Sequence, residues 1–432
     1  MDLIERARKH GIVGAGGAGF PTYIKLKARA DTLLINAAEC EPLLHKDKEI
    51  LRAFTAEIIA GIQLVQQAIG ATRSIIGIKA KYKEVIAAID NCGSCQTLIF
   101  HRLADFYPAG DEFVLVYEST GRVIPAGKLP LHVGVVVMNV ETVLNIVREQ
   151  PVIRKFLTIA GAVKRPITIS APIGMSIRDA IAVAGGASED PYAVLSGGVM
   201  MGSLVQDLDL PITRTTGGIL VFPEQHQVIR RYRRDWRTIS RIGRSACDQC
   251  SFCTDLCPRY LLGHPITPHN SMKTLLFSGK PDYLAQALYC CECNLCSMFS
   301  CPEDLDPKEV CVELKRKARE AKVEWRGQPR PEHPLINDRH IPLRRLFLKL
   351  GLTQFSNTGP LSDCPTPQLV RIPTRQHVGQ PAVPIVQAGN KVRAGDVIAD
   401  VELNALGVPI HASITGRVAF VSPELIEIVR ED

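Results

Sequence analysis

The first 155 residues alternate continuous apolar runs with amphipathic stretches. "DTLLINAAE", "SIIGIKA", "EFVLVYES" and "HVGVVVMNV" have the apolar character of buried strands. "EILRAFTAEIIAGIQLVQQAIG", which ends at Gly70, and "ETVLNIVRE" have the apolar spacing of helices. Strands that alternate with helices predict an α/β domain with a mostly parallel sheet over residues 1–155.

The pattern changes near Thr158, where short strands flank a single helix. "ITISAP" and "GGILVFP" predict strands. "SIRDAIAVAGG" predicts a helix with Ser176 as its N-cap and Asp179 at the capping-box position. This order of elements predicts a compact β-grasp-like module over residues 156–228.

Three further segments follow. Residues 229–325 are helical in pattern and rich in cysteine, and 326–364 include the proline-rich "WRGQPRPEHPLINDRHIP", which predicts a linker or extended arm. Residues 365–432 have the short strands and glycine turns of an all-β, lipoyl- or biotinyl-type barrel-sandwich hybrid. Such domains carry their cofactor on a lysine at a hairpin tip. Lys391, the only lysine from Ile372 onward, lies outside such a position, so this domain is predicted to pack rather than to carry a group.

Composition narrows the class of protein. The chain is 46% hydrophobic and 22% charged, with a net charge of +7. Its longest apolar run, "VGVVVMNV", is much shorter than the roughly 18–20 residues of a membrane span. The first residues do not form a signal peptide, so we expect a cytoplasmic protein without a nucleic-acid role. Seven arginines between Arg230 and Arg244 form either a solvated helix face or a docking surface for an acidic partner such as flavodoxin.

Cysteine spacing is the strongest chemical signal. The chain has 14 cysteines, and eight of them form two groups, each ending in Cys-Pro. The run C-x2-C-x2-C-x3-C-P is typical of proteins with two [4Fe–4S] clusters, in which the fourth cysteine of each run binds the other cluster. Zinc is the weaker alternative because x2, x2 spacing suits a tetrahedral ion poorly. The predicted ligand sets are Cys247, Cys250, Cys253 and Cys301 for one cluster, and Cys290, Cys293, Cys296 and Cys257 for the other.

The second cysteine group departs from the pattern in two ways. One extra residue precedes Cys301, and Cys291 is a surplus cysteine. Cys290 is preferred as the ligand because it alone keeps the x2 spacing, and Cys291 is the alternative.

Other cysteines and histidines outside the two groups give weaker signals. Cys92 and Cys95 form a C-x-x-C pair without a thioredoxin context, so an incidental pair is preferred over a redox pair. Cys40 is assigned a packing role, and His264 and His269 a structural one.

A glycine loop opens the chain as Gly14-x-Gly16-x-x-Gly19, and Glu39 follows at the distance expected of a dinucleotide fingerprint. A Rossmann loop follows a buried strand, whereas "IERARKHGIV" is helical in character. The sequence therefore disfavours a Rossmann site. A loop with many free N–H groups before a helix still predicts a phosphate cradle, and a tight turn without a ligand is the alternative.

The blocks around this loop resemble a known family. "GAGGAGFPTYIKL", "NAAECEP", "YPAGDE", "TGRVIPAGKLP" and "GVVVMNVETV" resemble the flavin- and NADH-binding subunit of respiratory complex I and the C subunit of the Rnf complex. The order of modules and "CCECNLCSMFSCPEDL" resemble the cobalamin reductases of propanediol-utilising bacterial microcompartments. The resemblance implies a multidomain α/β fold: an FMN/NADH domain, a β-grasp (SLBB-like) module, a helical two-[4Fe–4S] ferredoxin-like domain and a C-terminal all-β barrel-sandwich hybrid.

The same resemblance implies the cofactor-binding residues. They form a phosphate-binding loop, an acidic stretch beside the flavin and two further walls: Gly14, Gly16, Gly17, Gly19, Phe20, Lys25, Asn36, Glu39, Glu41, Tyr107, Gly110, Glu112, Asn139 and Thr142. Two positions depart from complex I, where Asp111 is a glutamate and Met138 an asparagine. These departures concern nicotinamide binding more than flavin binding.

Function follows as an expectation. NADH supplies two electrons and an iron–sulfur cluster accepts one, so a flavin is needed between them. The resemblance implies electron transfer from NADH through FMN and two [4Fe–4S] clusters to cob(III)alamin or cob(II)alamin, which reactivates a B12-dependent diol dehydratase. The implied partners are a cobalamin-processing enzyme and microcompartment shell or lumen proteins, and the implied location is inside a microcompartment. The alternatives are an NADH:ferredoxin or flavodoxin oxidoreductase, an Rnf-type subunit, and a non-enzymatic electron carrier or scaffold.

Overall fold

The computed structural model describes residues 1–90, 98–276, 281–324 and 330–431. Cys92 and Cys95 lie outside these ranges. The strands of the N-terminal domain are β1 (Thr32–Ala37), β2 (Arg73–Lys79), β3 (Leu98–Leu103), β4 (Phe106–Tyr107) and β5 (Val135–Asn139). Its helices are α1 (Leu3–Lys9), α2 (Thr22–Leu26), α3 (Lys46–Ala53), α4 (Thr55–Ile69), α5 (Lys83–Asp90), α6 (Glu112–Thr120) and α7 (Val140–Val147). The parallel sheet has the order β3-β2-β1-β5.

Two predictions in this domain are wrong. "EFVLVYES" is the helix α6 rather than a strand, because the Asp111 carboxylate accepts hydrogen bonds from the N–H groups of Phe113 and Val114 and caps its first turn. The long helix predicted before Gly70 is divided into α3 and α4 at Phe54. Helix α1, and no strand among the described residues, precedes the glycine loop, in agreement with the argument against a Rossmann site.

The second module has a mixed sheet and one helix. Its elements are β6 (Arg154–Gly161), β7 (Ile167–Pro172), α8 (Ile177–Val183), β8 (Tyr192–Ser196), β9 (Ser203–Leu204) and β10 (Gly218–Pro223). Strand β7 pairs antiparallel with β6, and β10 returns parallel to β6, which is the β-grasp arrangement. The Ser176 hydroxyl accepts a hydrogen bond from the Asp179 N–H, which confirms the predicted N-cap.

The cysteine region is made of short helices. They are α9 (Gln227–Tyr232), α10 (Trp236–Ala246), α11 (Phe252–Asp255), α12 (Pro258–Leu261), α13 (Pro268–Lys273), α14 (Pro281–Ala287) and α15 (Pro307–Glu320). A π-helical turn covers Cys296–Ser300. A π turn holds one more residue than an α turn, so this turn accommodates the extra residue before Cys301.

The segment predicted as a linker or arm packs on both preceding domains. It contains β11 (Ile341–Pro342), α16 (Leu343–Lys349) and β12 (Leu361–Ser362). Strand β11 pairs with β4, and β12 pairs with β7. Main-chain pairing therefore holds this arm along the N-terminal domain and the β-grasp module.

The C-terminal domain consists of two small sheets. Its strands are β13 (Leu369–Pro373), β14 (Val383–Pro384), β15 (Lys391–Val392), β16 (Val397–Asp400), β17 (Ile410–His411), β18 (Gly416–Val421) and β19 (Leu425–Arg430). They form sheets in the orders β13-β19-β18-β15 and β14-β16-β17. Buried Ile372 and Ile410 share one apolar core with Leu33 and Ile35 of the N-terminal sheet, which fixes the two domains together. No helix in the described ranges is long and apolar enough to cross a bilayer.

His411 makes this domain contact sensitive to acid. The imidazole is buried, and burial followed by the nearby Arg214 cation lowers its pKa to about 3. The unfolded chain therefore binds a proton below about pH 6.5 that the folded chain refuses until about pH 3, so stability falls as the pH falls. We expect a loss of about 2 kcal/mol between pH 7 and pH 5 at this site.

Urea unfolding of wild type and His411→Gln at both pH values measures this loss. The variant should show a smaller difference between pH 7 and pH 5, whereas His132→Gln, at an exposed position, should match wild type. An equal pH difference in all three proteins would contradict the assignment.

Candidate functional site

A cleft of 1020 Å³ lies between the N-terminal domain and the β-grasp module. The glycine loop and the carboxyl ends of β1 and β5 form one side, and residues 196–198, 203–205 and 213–217 of the β-grasp module face them. Gly19 and Thr142 lie behind the wall. The other cofactor residues implied by the resemblance line the cleft: Gly14, Gly16, Gly17, Phe20, Lys25, Asn36, Glu39, Glu41, Tyr107, Gly110, Glu112 and Asn139.

The glycine loop presents its backbone to the cleft. Gly14 N–H donates to the Phe20 carbonyl and Gly19 N–H to the Gly14 carbonyl, so the loop closes on itself. Within the described part of the chain, the N–H groups of residues 16–18 donate to no protein acceptor, and these residues are exposed. Gly17 has φ = +113°, a conformation that favours glycine. A row of free N–H groups at this bend fits a phosphate.

Two residues behind the loop hold it in place. Ala15 N–H donates to the Thr142 hydroxyl at 3.0 Å. Gly19 turns the chain at φ = +64°, and a side chain there would meet Thr215 at 2.9 Å. Thr142 and Gly19 therefore act on the loop from outside the cleft.

The opposite wall is flat because its backbones approach closely. The Asn36 amide donates to the Gly110 carbonyl at 2.9 Å, and its oxygen accepts from Ala38 N–H at 3.1 Å. A Cβ at Gly110 would lie 2.5 Å from the Ala38 carbonyl oxygen. Gly110 N–H also donates to the buried Cys40 sulfur at 3.3 Å, in line with a packing role for that thiol. A flat wall opposite a phosphate cradle fits an FMN ring and its phosphate.

A buried charge network supports the loop, and sequence reasoning missed it. The Lys155 ammonium donates to the Ala15 carbonyl at 2.9 Å and to the Glu141 carboxylate. Lys46 lies 3.2 Å from Glu141 and 2.5 Å from Asp47. Asp47 in turn accepts from the Asn139 amide at 2.9 Å. The charged run "HKDKE" after "NAAECEP" was the only sequence signal for it.

Glu41 joins the two walls of the cleft. Its carboxylate accepts hydrogen bonds from the N–H groups of Met200 at 2.9 Å and Met201 at 3.0 Å. Burial raises the pKa of Glu41 to about 8, against the opposing effect of these hydrogen bonds. The carboxyl group therefore titrates within the physiological range although its ordinary pKa is near 4.5.

We expect Glu41→Gln to stabilise the protein at alkaline pH. Ionisation of Glu41 disfavours the folded state, so wild type loses stability as the pH rises from about 4.5 to about 8, and the amide removes this loss. Because the side chain keeps some contact with solvent in the cleft, the gain at pH 9 should be about 1–2 kcal/mol. Denaturant unfolding at pH 5 and pH 9 measures it, with the exposed Glu5→Gln as the control. A wild-type pH profile retained in Glu41→Gln would refute the assignment.

The first cysteine group surrounds a recess at the surface. Cys247, Cys250, Cys253 and Cys301 all border it. Burial, followed by the three neighbouring thiols, raises the pKa of Cys253 to about 12. Leu305 N–H donates to the Cys301 sulfur at 3.4 Å, an arrangement that suits a thiolate bound to a cluster. No three His, Cys, Asp or Glu side chains of the described residues are arranged around a single ion, whereas a cubane takes four thiolates around a wider cage.

The second cysteine group repeats the backbone of the first. Gln249 and Glu292, each one residue before the second cysteine, have φ = +58° and +60°. Ser251 and Asn294, each one residue after it, have φ = +66° and +65°. Left-handed non-glycine residues are uncommon, so their repetition superimposes the two turns with Cys290 in the place of Cys247. Glu292 N–H donates to the Cys290 sulfur at 3.4 Å.

The second group lies next to the cleft. Cys293 lines the cleft itself, and the Tyr107 hydroxyl donates to its carbonyl at 2.9 Å. The Asn294 amide donates to the Met200 carbonyl at 3.1 Å. Burial and then Cys290, Cys253 and Cys257 raise the pKa of Cys296, which places thiols of both groups beside one another. Cys250 of the first group is exposed.

The two histidines of this region are hydrogen-bonded within the protein. A His264 ring nitrogen lies 3.0 Å from the Ile124 carbonyl, and a His269 ring nitrogen lies 2.7 Å from the Thr254 hydroxyl. Both contacts agree with a structural role.

Family models match the four folded parts in order. They are the Nuo51 FMN-binding domain over residues 7–148, the SLBB domain over 156–203, the 4Fe-4S dicluster domain over 246–306 and the RnfC barrel sandwich hybrid domain over 351–430. These matches define a flavo-iron–sulfur oxidoreductase with FMN and [4Fe–4S] clusters as cofactors. The predicted fold class and these two kinds of cofactor are confirmed.

Curated relatives give the family. The cobalamin reductase PduS of Citrobacter freundii is 43% identical over 99% of this chain and 96% of its own length. That of Salmonella typhimurium is 43% identical over the same shares. The RnfC-type component of the Na⁺-translocating ferredoxin:NAD⁺ oxidoreductase complex of Acetobacterium woodii is 34% identical over 58% of this chain and 56% of its own. The chain belongs to the cobalamin reductase PduS family.

Proposed function

We propose that this protein is an NADH-dependent cobalamin reductase, with electrons passing from NADH to FMN, through two [4Fe–4S] clusters and on to cob(III)alamin or cob(II)alamin. The observation that carries the proposal is the position of Cys293, which lines the flavin-sized cleft and also belongs to a cysteine group of cluster spacing. The relatives with which this chain shares its full length are named cobalamin reductases.

The cleft residues have distinct parts in this proposal. The free N–H groups of residues 16–18 bind the FMN phosphate, and the flat wall of Asn36 and Gly110 orients the ring. Phe20, Lys25 and Glu112 border the remaining volume, where NADH binds. When bound, FMN accepts a hydride and releases electrons one at a time. Closure by the β-grasp module keeps water from this site.

The cluster ligands follow from the two repeated turns. Cys247, Cys250, Cys253 and Cys301 hold one cluster, and Cys257, Cys290, Cys293 and Cys296 hold the other. Cys290 is preferred to Cys291 because it occupies the same place as Cys247 relative to the paired left-handed residues. The π-helical turn after Cys296 lets Cys301 reach the first set despite its extra residue.

The biological setting follows the family. Reduction of cobalamin keeps a B12-dependent diol dehydratase active, and we place the protein in the cytoplasm, inside a bacterial microcompartment with its shell or lumen proteins. Outer-sphere electron transfer asks only that the corrinoid come close to a cluster. The alternative acceptor is flavodoxin or ferredoxin, which the arginine-rich segment 230–244 would favour.

Anaerobic reconstitution tests this function. Purified protein should contain FMN and about eight iron and eight sulfide per chain. NADH should bleach the flavin absorbance, and the reduced protein should then reduce cob(II)alamin. Absence of flavin, or no bleaching by NADH, would leave a non-enzymatic carrier. Transfer to flavodoxin without transfer to cob(II)alamin would identify a flavodoxin reductase instead.

A further inference from the structure

The arginines between residues 230 and 244 divide into two sets. Arg231 and Arg234 form ion pairs with Asp306 at 3.0 and 2.8 Å, and Arg233 pairs with Glu224 at 2.8 Å. These three hold the polypeptide together. The other set makes no ion pair with any residue that the structure describes: Arg230, Arg237, Arg241 and Arg244.

Three of the unpaired arginines share one face of α10. Arg237, Arg241 and Arg244 are four and three residues apart, so they lie together on the side of the helix opposite buried Ile239 and Gly243. All three are exposed. Helix α10 therefore presents a row of positive charge to solvent while its other side packs on the protein.

This row lies at the outer cluster site. Helix α10 ends at Ala246, and the next residue is Cys247. Ile239 belongs to the same apolar core as Cys301, which fixes the helix against that cysteine group. Cys250 of the group is exposed, whereas Cys293 of the other group lines the cleft. Electrons that enter at the cleft consequently reach the surface beside the arginine row.

Exposed aromatic residues accompany the charge. Trp236 at the start of α10 is 43% exposed, and Phe252, two residues after Cys250, is 52% exposed. Arginine and aromatic side chains are the residues most enriched where proteins bind one another. A solvated helix face needs no such aromatic residues, so their presence favours docking.

We propose that Arg237, Arg241, Arg244, Trp236 and Phe252 form the exit face, a docking surface for an acidic redox protein that receives electrons from the cluster at Cys250. The inference rests on the proposed function for the source of the electrons. A free cobalamin in these oxidation states has no net negative charge, so a positive face selects a protein partner rather than the corrinoid itself. With a one-electron flavoprotein acceptor the balance is NADH + H⁺ + 2 acceptors → NAD⁺ + 2 protonated semiquinone acceptors.

Charge reversal tests the exit face. The variant is Arg237→Glu/Arg241→Glu/Arg244→Glu, and the control is Lys164→Glu/Arg345→Glu/Arg393→Glu, which changes the net charge equally at exposed positions in other domains. Oxidised flavodoxin is the acidic probe and cytochrome c the basic one. At low salt the exit-face variant should lower kcat/KM for flavodoxin by about tenfold or more and raise it for cytochrome c, with the flavodoxin effect disappearing at high salt. The control should change each rate less than twofold.

Direct binding separates this inference from the proposed function. Titration calorimetry with flavodoxin, without NADH, should show salt-dependent binding to wild type and the control and none to the exit-face variant. Equal losses in both variants would mean long-range net charge rather than a surface, and wild-type binding by the exit-face variant would place the partner elsewhere; either result overturns the inference. Reduction of menadione, a small neutral quinone, by NADH reports the cleft: its failure in wild type would refute the proposed function, while calorimetry would still decide docking.

Discussion

Cys290→Ala is expected to halve the iron content of the protein and to lower cobalamin reduction by a factor of about 100 or more, whereas Cys291→Ala should retain both. The two cysteines are adjacent, so the variants form a matched pair. The reason is geometric: Cys290 stands where Cys247 stands in the other turn, and Glu292 N–H already donates to its sulfur. Iron and sulfide analysis, with electron paramagnetic resonance of the dithionite-reduced protein, measures the clusters directly.

The opposite result has a clear meaning. Loss of iron in Cys291→Ala with full iron in Cys290→Ala would assign Cys291 as the ligand. Full iron in both single variants would mean that either thiol suffices, and the assignment of Cys290 would be wrong. Bleaching of the flavin by NADH in the same samples shows whether the N-terminal domain remains folded.

Local signals carried much of the fold. The cysteine spacing indicated two clusters because cluster ligands come from one short segment of chain, and the Ser176 cap needed only its own helix. The strand predicted for "EFVLVYES" failed because β-branched and aromatic residues suggest a strand, while the capping carboxylate of Asp111 and the burial of Leu115 decide for a helix.

Other parts of the site have no local signal. The cleft is completed by residues 213–217, which follow the glycine loop by about two hundred positions, and no periodicity connects them. The network of Lys46, Glu141 and Lys155 is assembled from a helix start, a second helix and a strand. Its members read as ordinary surface charges in the sequence, and burial alone reveals that they are a unit. Resemblance supplied the lining residues, and the structure supplied what supports them.

Glu141→Gln should have the largest effect on stability among single changes in this domain. Its carboxylate lies between the ammonium groups of Lys46 and Lys155 and accepts from Phe156 N–H at 3.0 Å. All three charged side chains are at least 96% buried, so the variant leaves two unscreened cations facing each other. Removal of one partner from a buried ionic network costs about 3–5 kcal/mol. Differential scanning calorimetry and urea unfolding of the holoprotein measure the loss.

The double variant Glu141→Gln/Lys155→Met separates charge from packing. Removing one of the two stranded cations should recover part of the loss, so the double variant should be more stable than Glu141→Gln. Glu57→Gln, which removes the surface partner of Arg148, is the matched control and should cost at most about 1 kcal/mol. Because Lys155 also bonds to the Ala15 carbonyl, the double variant should bind FMN more weakly than wild type even after its stability recovers. FMN affinity restored together with stability would show that the network acts on the fold alone and not on the loop.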